Sequence, residues 1–177
     1  MIDKIRGAGN FVMEQNRKEP LGLDKMGNPI YKCAMIPIEK VEITFVIEPA
    51  NEYQMKLFNR QMAVVISAYR YFYCHEKLVA YTFSAIPTET ITMMNVDLND
   101  KEQVLSMLEK DIYGEAKRSY IEINPNSAGD TLWPEKLKKE DRISMINEKL
   151  YGNEYSLLVC NKHYIMSDSF LIAVDAV

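Results

Sequence analysis

The stretch NEYQMKLFNRQMAVVISAYRYFYC, residues 51–74, decides how the rest of the chain is read. It opens on Asn51, whose short side chain suits the first turn of a helix, and Gln54 stands three residues on as the reciprocal partner of a capping box. Met55, Phe58, Met62, Ile66 and Tyr69 follow at spacings of three and four, which place them on one helical face. From Met62 onward, Ala63, Val64, Val65, Ala68, Tyr71 and Phe72 carry the apolar surface almost all the way round. The spacing predicts a helix over 52–73, and its greasy C-terminal half must be enclosed by the rest of the chain or by a companion molecule.

Upstream, Asp24-Lys-Met-Gly-Asn-Pro29 is a turn signal, and residues 30–47 read as a strand broken near Pro37. Within that run Val41, Ile43, Phe45 and Ile47 alternate with more polar neighbours and imply one buried face. Residues 1–19 form an N-terminal arm interrupted by Gly7 and Gly9, expected to pack on something else, a partner included. Downstream, residues 78–86 and 90–96 read as a hairpin around Pro87-Thr-Glu89. Asn99 with Glu102 predicts a second capped helix striped by Val104, Leu105, Leu108 and Ile112 and ended by Gly114. Residues 118–123 read as a strand, 124–130 as a loop, 135–150 as a helix, and 155–161 and 170–177 as two more strands. No repeat or linker divides the chain. The expected fold is a single α+β domain over 1–177, with a mainly antiparallel sheet of about five to seven strands packed against two or three helices.

Bulk properties narrow the function classes. The 177 residues are 47% hydrophobic and 26% charged, the composition of an ordinary globular domain with its own core. The three cysteines are widely spaced, no glycosylation sequon occurs, and no apolar run reaches spanning length, so a cytoplasmic protein without membrane contact is expected. The net charge of −4 and the lack of a Lys/Arg cluster argue against nucleic acid as a partner. A helix carrying Lys136, Lys138, Lys139 and Arg142, with the aromatics from Tyr69 to Tyr73 that could stack bases, speaks in its favour.

Candidate chemistry is thin. Cys74, His75, Cys160 and His163 are the ligand types of a zinc site or the parts of a thiol nucleophile, with Asp168 or Asp175 as an assisting acid. Adjacent Cys74 and His75 at a helix end diverge, however, and cysteines in apolar patterns behave as small buried hydrophobes. The acidic residues Asp97, Asp100, Glu102, Asp111 and Glu115 fit a helix N-terminus and a solvated face. Glu115-Ala-Lys117 lacks the strand context of a nuclease, and Gly7-Ala-Gly9 lacks the third glycine of a dinucleotide loop. No metal or cofactor is expected. The aromatic run Tyr69, Arg70, Tyr71 and Tyr73 suits a protein interface. The expectation is therefore a non-catalytic interaction or assembly protein working with a protein partner or as a homo-oligomer. Given the excess of lysine over arginine, a bacteriophage virion component such as a connector or tail protein fits, or a host-interaction protein. The rivals are a small Cys/His- or carboxylate-dependent hydrolase or transferase, and a nucleic-acid-binding accessory.

Overall fold

In the computed structural model, residues 22–125 and 143–175 are described. The element order is α1 (Pro29–Cys33), β1 (Lys40–Pro49), α2 (Glu52–Phe58), β2 (Val64–Cys74), β3 (Lys77–Pro87), α3 (Thr88–Met93) and α4 (Lys101–Ser106). A π-helical turn (Met107–Asp111), α5 (Ile112–Glu115), β4 (Arg118–Pro125), β5 (Ile143–Tyr151) and β6 (Leu157–Met166) complete it. The six strands make one antiparallel sheet in the order β1-β2-β3-β6-β5-β4. An antiparallel α+β domain is what the sequence predicts. The chain lays down β1 to β3, crosses by the short helices, and returns from the far edge so that β3 and β6 meet at the centre.

The quoted stretch divides in two. Its first half is helical as expected: the Asn51 side chain accepts from Gln54 N and Gln54 returns the bond to Asn51 N, both at 2.9 Å. The helix ends at Phe58, because Asn59 adopts a left-handed conformation with φ 50° and turns the chain back. Residues 64–74 are a strand, which corrects the long helix. The correction has a physical cause. β2 is the second strand of six and is covered on both faces, so neither face shows the polar alternation that marks a half-exposed strand. Even-numbered Ile66, Ala68 and Phe72 enter the main core, while odd-numbered Tyr69, Tyr71 and Tyr73 pack on the other side.

Four smaller readings also change. Residues 29–33 form a helical turn, capped by Asn28, which accepts from Ile30 N at 3.0 Å. Thr88–Met93 is a helix where a second hairpin strand is expected. Residues 143–150 belong to a strand, so the helix expected over 135–150 is overturned in that part; residues 135–142 lie outside the described residues, as do the N-terminal arm and Lys136, Lys138, Lys139 and Arg142. The segment after β6 adds no sheet strand up to residue 175; it runs beside residues 22–35 through Leu23 N to Ala173 O at 2.7 Å and Leu171 N to Cys33 O at 2.8 Å. Gly27, at φ 144°, makes the turn that delivers Asn28.

The main core lies between the helices and the even face of the sheet and holds Ile30, Ile66, Phe72, Leu105, Leu108, Ile112, Ile146 and Leu150. Truncating a side chain as buried as Phe72 costs about 3–5 kcal/mol. No helix among the described residues is long and apolar enough to cross a membrane.

Candidate functional site

A row of polar side chains runs through the middle of this apolar core. The register explains it. Arg70 on β2 is opposite Thr82 on β3, Thr82 is opposite His163 on β6, Ser84 is opposite Asn161, and Asn161 is opposite Glu148 on β5. Because side chains alternate along a strand, these pairs all point to the helix-covered face. Arg70, Thr82, Ser84 and His163 have no exposed surface, and Glu148 and Asn161 have almost none.

The helices close the row from above. The Arg70 Nη1 donates to Glu109 Oε1 at 2.5 Å and to the Leu108 carbonyl at 3.1 Å, both on the π-helical turn. Its Nη2 donates to Ser84 Oγ at 3.0 Å and to Asn161 Oδ1 at 3.4 Å. π-helical turns are concentrated at functional positions in proteins, where the wider turn re-aims backbone and side chains. Here one places a carbonyl and a carboxylate on the same guanidinium nitrogen. Asn28, below α1, donates from Nδ2 to the other Glu109 oxygen at 3.2 Å.

At the far end, Glu148 Oε2 accepts from Tyr113 at 2.9 Å and Asn161 at 2.9 Å, and meets His163 Nε2 at 3.1 Å. Its Oε1 receives only a long bond of 3.4 Å from Ser119. Burial alone raises the pKa of Glu148, but hydrogen bonds and charge from His163, with the Asn161 and Tyr113 bonds, outweigh it and hold the carboxyl below its ordinary value. Tyr113 moves the opposite way: burial, then the neighbouring Glu148 charge, raise its phenol well above the usual range. On its other side the His163 ring places Nδ1 2.9 Å from the Thr82 hydroxyl, so both ring nitrogens have a polar partner.

Among the described residues, one donor of this cluster, Arg70 Nε, is buried without a hydrogen-bond partner. Burial and the Glu109 charge raise the Tyr31 phenol, so it stays a neutral donor. A buried donor left unmade costs about 1–3 kcal/mol, and a buried ion pair is often no more stable than an apolar pair of the same size. Polar groups kept at that cost inside a core mark places where function overrides stability.

Of the residues singled out in the sequence, Arg70 and His163 enter this cluster, from opposite ends. Tyr69, Tyr71 and Tyr73 alternate with Arg70 along β2 and so sit on the opposite face, half-buried against Tyr81, Phe83 and Tyr164. Cys160 also faces that side, three residues and one inversion from His163, and burial pushes its thiol up to about 12. The two do not converge. Cys74 and His75 sit at the β2–β3 turn with Glu39. Sequence reasoning missed Glu148, Glu109, Ser84, Thr82, Asn161 and Tyr113. The signal was present as polar residues two apart within apolar strands, Thr82/Ser84 and Asn161/His163, but it needs the strand assignment of β2 and β5 before it points at anything.

The opposite face carries a groove of about 360 Å³ beside α2, lined by Tyr53, Gln54, Tyr69, Phe83, Lys149 and Lys162 among others. Its lining is mixed in character and also includes Glu148 and Asn161, whose side chains belong to the polar row.

No family model and no curated protein matches the sequence. Solved structures do match the fold. The effector domain of PhnF from Mycobacterium smegmatis aligns at TM-score 0.65 and 12% identity, over 90% of this chain and 98% of that one. A GntR-family transcriptional regulator from Enterococcus faecalis V583 aligns at 0.64 and 10% identity, over 77% and 100%. The ligand-binding domain of a putative GntR-family transcriptional regulator from Bordetella bronchiseptica aligns at 0.60 and 10% identity, over 78% and 91%. These likenesses concern the fold. They overturn the expectation of a structural assembly protein of a bacteriophage virion: the six-stranded sheet with its helical cover is the architecture of regulator domains, and the enclosed aromatic pillar on which that expectation rested is a sheet strand.

Proposed function

We propose that this chain is a small-molecule-sensing domain of a transcriptional regulator, and that its effector, an anion, binds at Arg70 between the helical cover and the sheet. The observation that carries the reading is the fully buried guanidinium whose Nε has no partner among the described residues, held by a carboxylate on the π-helical turn of the covering helix. The fold resemblance supports the class of function, since two of the aligned structures are an effector domain and a ligand-binding domain.

The chemistry follows from exchange. Glu109 occupies the position that an effector carboxylate or phosphate takes on Arg70, so binding replaces one anion by another on the same cation, and the desolvation of the guanidinium is not repeated. Ser84 and Asn161 present further polar atoms to the incoming group. Glu148 and His163, farther along the row, select hydroxyl or amine substituents. α4, the π-helical turn and α5 follow one another without a gap from Lys101 to Glu115, so the cover is one helix, and its π-turn is the point at which the regular backbone ladder is already interrupted. Displaced Glu109 also releases Asn28, which carries the event to α1. An effector shifts the equilibrium between covered and opened states only by its differential affinity for them, and Arg70 supplies that difference.

Thermal denaturation with a panel of sugar phosphates, di- and tricarboxylates and aromatic carboxylates tests this. At least one class raises the midpoint of the wild-type protein and leaves Arg70→Met/Glu109→Met unmoved. Failure of all classes, or stabilisation that persists in the double variant, contradicts the reading.

A further inference from the structure

We infer that the β2–β3 turn holds a second site, a zinc-class metal site formed by Glu39, Cys74 and His75 and separate from the effector cluster. A carboxylate, a thiol and an imidazole here bring one donor atom each to within 4.8 Å of one another. Two chain segments supply them. Glu39 stands just before β1 and is fixed by its backbone bond to Tyr73 O at 2.9 Å, while Cys74 and His75 close β2. Side chains of adjacent residues diverge on a regular strand or helix, but His75 and Glu76 both take positive φ, 47° and 60°, as a two-residue hairpin turn requires. The turn swings the imidazole over so that His75 Nδ1 lies 2.9 Å from Glu39 Oε1.

The donor set fits zinc. Tetrahedral zinc takes sulfur at about 2.3 Å and nitrogen or oxygen at about 2.0–2.2 Å, so its ligands stand roughly 3.3–3.7 Å apart; here His75 Nδ1 and Glu39 Oε1, 2.9 Å apart, would part by a few tenths of an ångström, and the remaining pairs already lie within 4.8 Å. The thiol is nearly buried, whereas the His75 and Glu39 side chains are 82% and 44% exposed. The ion is thus anchored on the protein side and keeps its fourth position toward water, as in zinc sites with three protein ligands. A divalent cation binds the thiolate with release of a proton. The other two cysteines take no part: Cys33 belongs to α1 in the main core, Cys160 packs on the opposite face, and burial pushes their thiols up to about 11 and about 12.

Cobalt(II) titration of the whole chain is the test, because thiolate ligation gives a near-ultraviolet charge-transfer band that carboxylate and imidazole ligation do not. The wild-type protein develops the band, zinc abolishes it, and Cys33→Ser/Cys160→Ser retains it. Cys74→Ser loses it, and His75→Ala and Glu39→Gln each weaken binding at least tenfold. Protection of Cys74 from alkylation by zinc, read by mass spectrometry on the wild-type chain, stands in if Cys74→Ser fails to fold. No band and no protection, a band that survives Cys74→Ser, or affinity indifferent to His75→Ala and Glu39→Gln overturns the site.

Discussion

Alternate residues of the same strands build two faces that treat polar atoms in opposite ways. On the face built by the odd-numbered residues of β2 and β3 together with Tyr164 of β6, here the odd face, Tyr69, Tyr71, Tyr81, Phe83 and Tyr164 pack at centroid distances of 5.2–6.4 Å. Their ring area is buried while an amphipathic edge stays available to polar neighbours, which is an inexpensive way to cover a sheet. On the opposite face Arg70, Thr82 and Ser84 are joined by Asn161 and His163 of β6 in a closed core, where Arg70 Nε finds no partner among the described residues. Stability explains the first face. It does not explain the second, whose polar row is intelligible as a binding surface caught in its closed form.

Substitutions sharpen the contrast in decreasing order of effect. Arg70→Met alone strands the Glu109 carboxylate in the core and is expected to cost about 3–5 kcal/mol, read by urea denaturation. Glu148→Gln leaves Tyr113 and His163 with a weaker acceptor and costs roughly 1–3 kcal/mol near neutral pH. Its pH dependence has a definite sign. Glu148 is held below its ordinary value of 4.5 in the folded protein, so its contribution is complete above that value and is lost as pH falls through the depressed folded one. Wild-type stability therefore declines across that acid range more steeply than that of Glu148→Gln; parallel profiles contradict the assignment.

The odd face answers weakly to the loss of polar atoms. Asn51→Ala, which removes the capping box of the helix beside that face, costs about 1 kcal/mol, seen as a lowered denaturation midpoint. Tyr81→Phe keeps the ring against Tyr71 and Tyr164 and changes stability by under about 1 kcal/mol. A loss from Tyr81→Phe as large as that from Arg70→Met removes the distinction between the faces.

How far the sequence leads depends on where a strand lies in the sheet. β1 is at an edge, one of its faces is wet, and the alternation from Val41 to Ile43 reads directly as a buried stripe. The capping box of α2 is a local chemical signature and is equally plain. β2 has neighbours on both edges and cover on both faces, so Val64–Cys74 is apolar all round and imitates a buried helix. That one ambiguity hid the site. Arg70 read as part of an aromatic helix end is grouped with Tyr69 and Tyr71, whereas on a strand it is divided from them by the sheet itself. Glu148 was hidden likewise, as a charged position on an expected helix. The fold class survived because the antiparallel character rests on several other strands, while the site depends on the register of four strands, which no local pattern in the chain encodes.

Whether the Arg70–Glu109 pair is kept for a ligand or for the fold is decided most directly by the urea-denaturation stability of Arg70→Met/Glu109→Met beside that of Arg70→Met. Removing both charges leaves no unpaired ion in the core, so the double variant is expected within about 1 kcal/mol of the wild-type protein, with most of the single-variant loss recovered. A double variant as unstable as Arg70→Met contradicts the account, because the ion pair is then part of what holds the domain together.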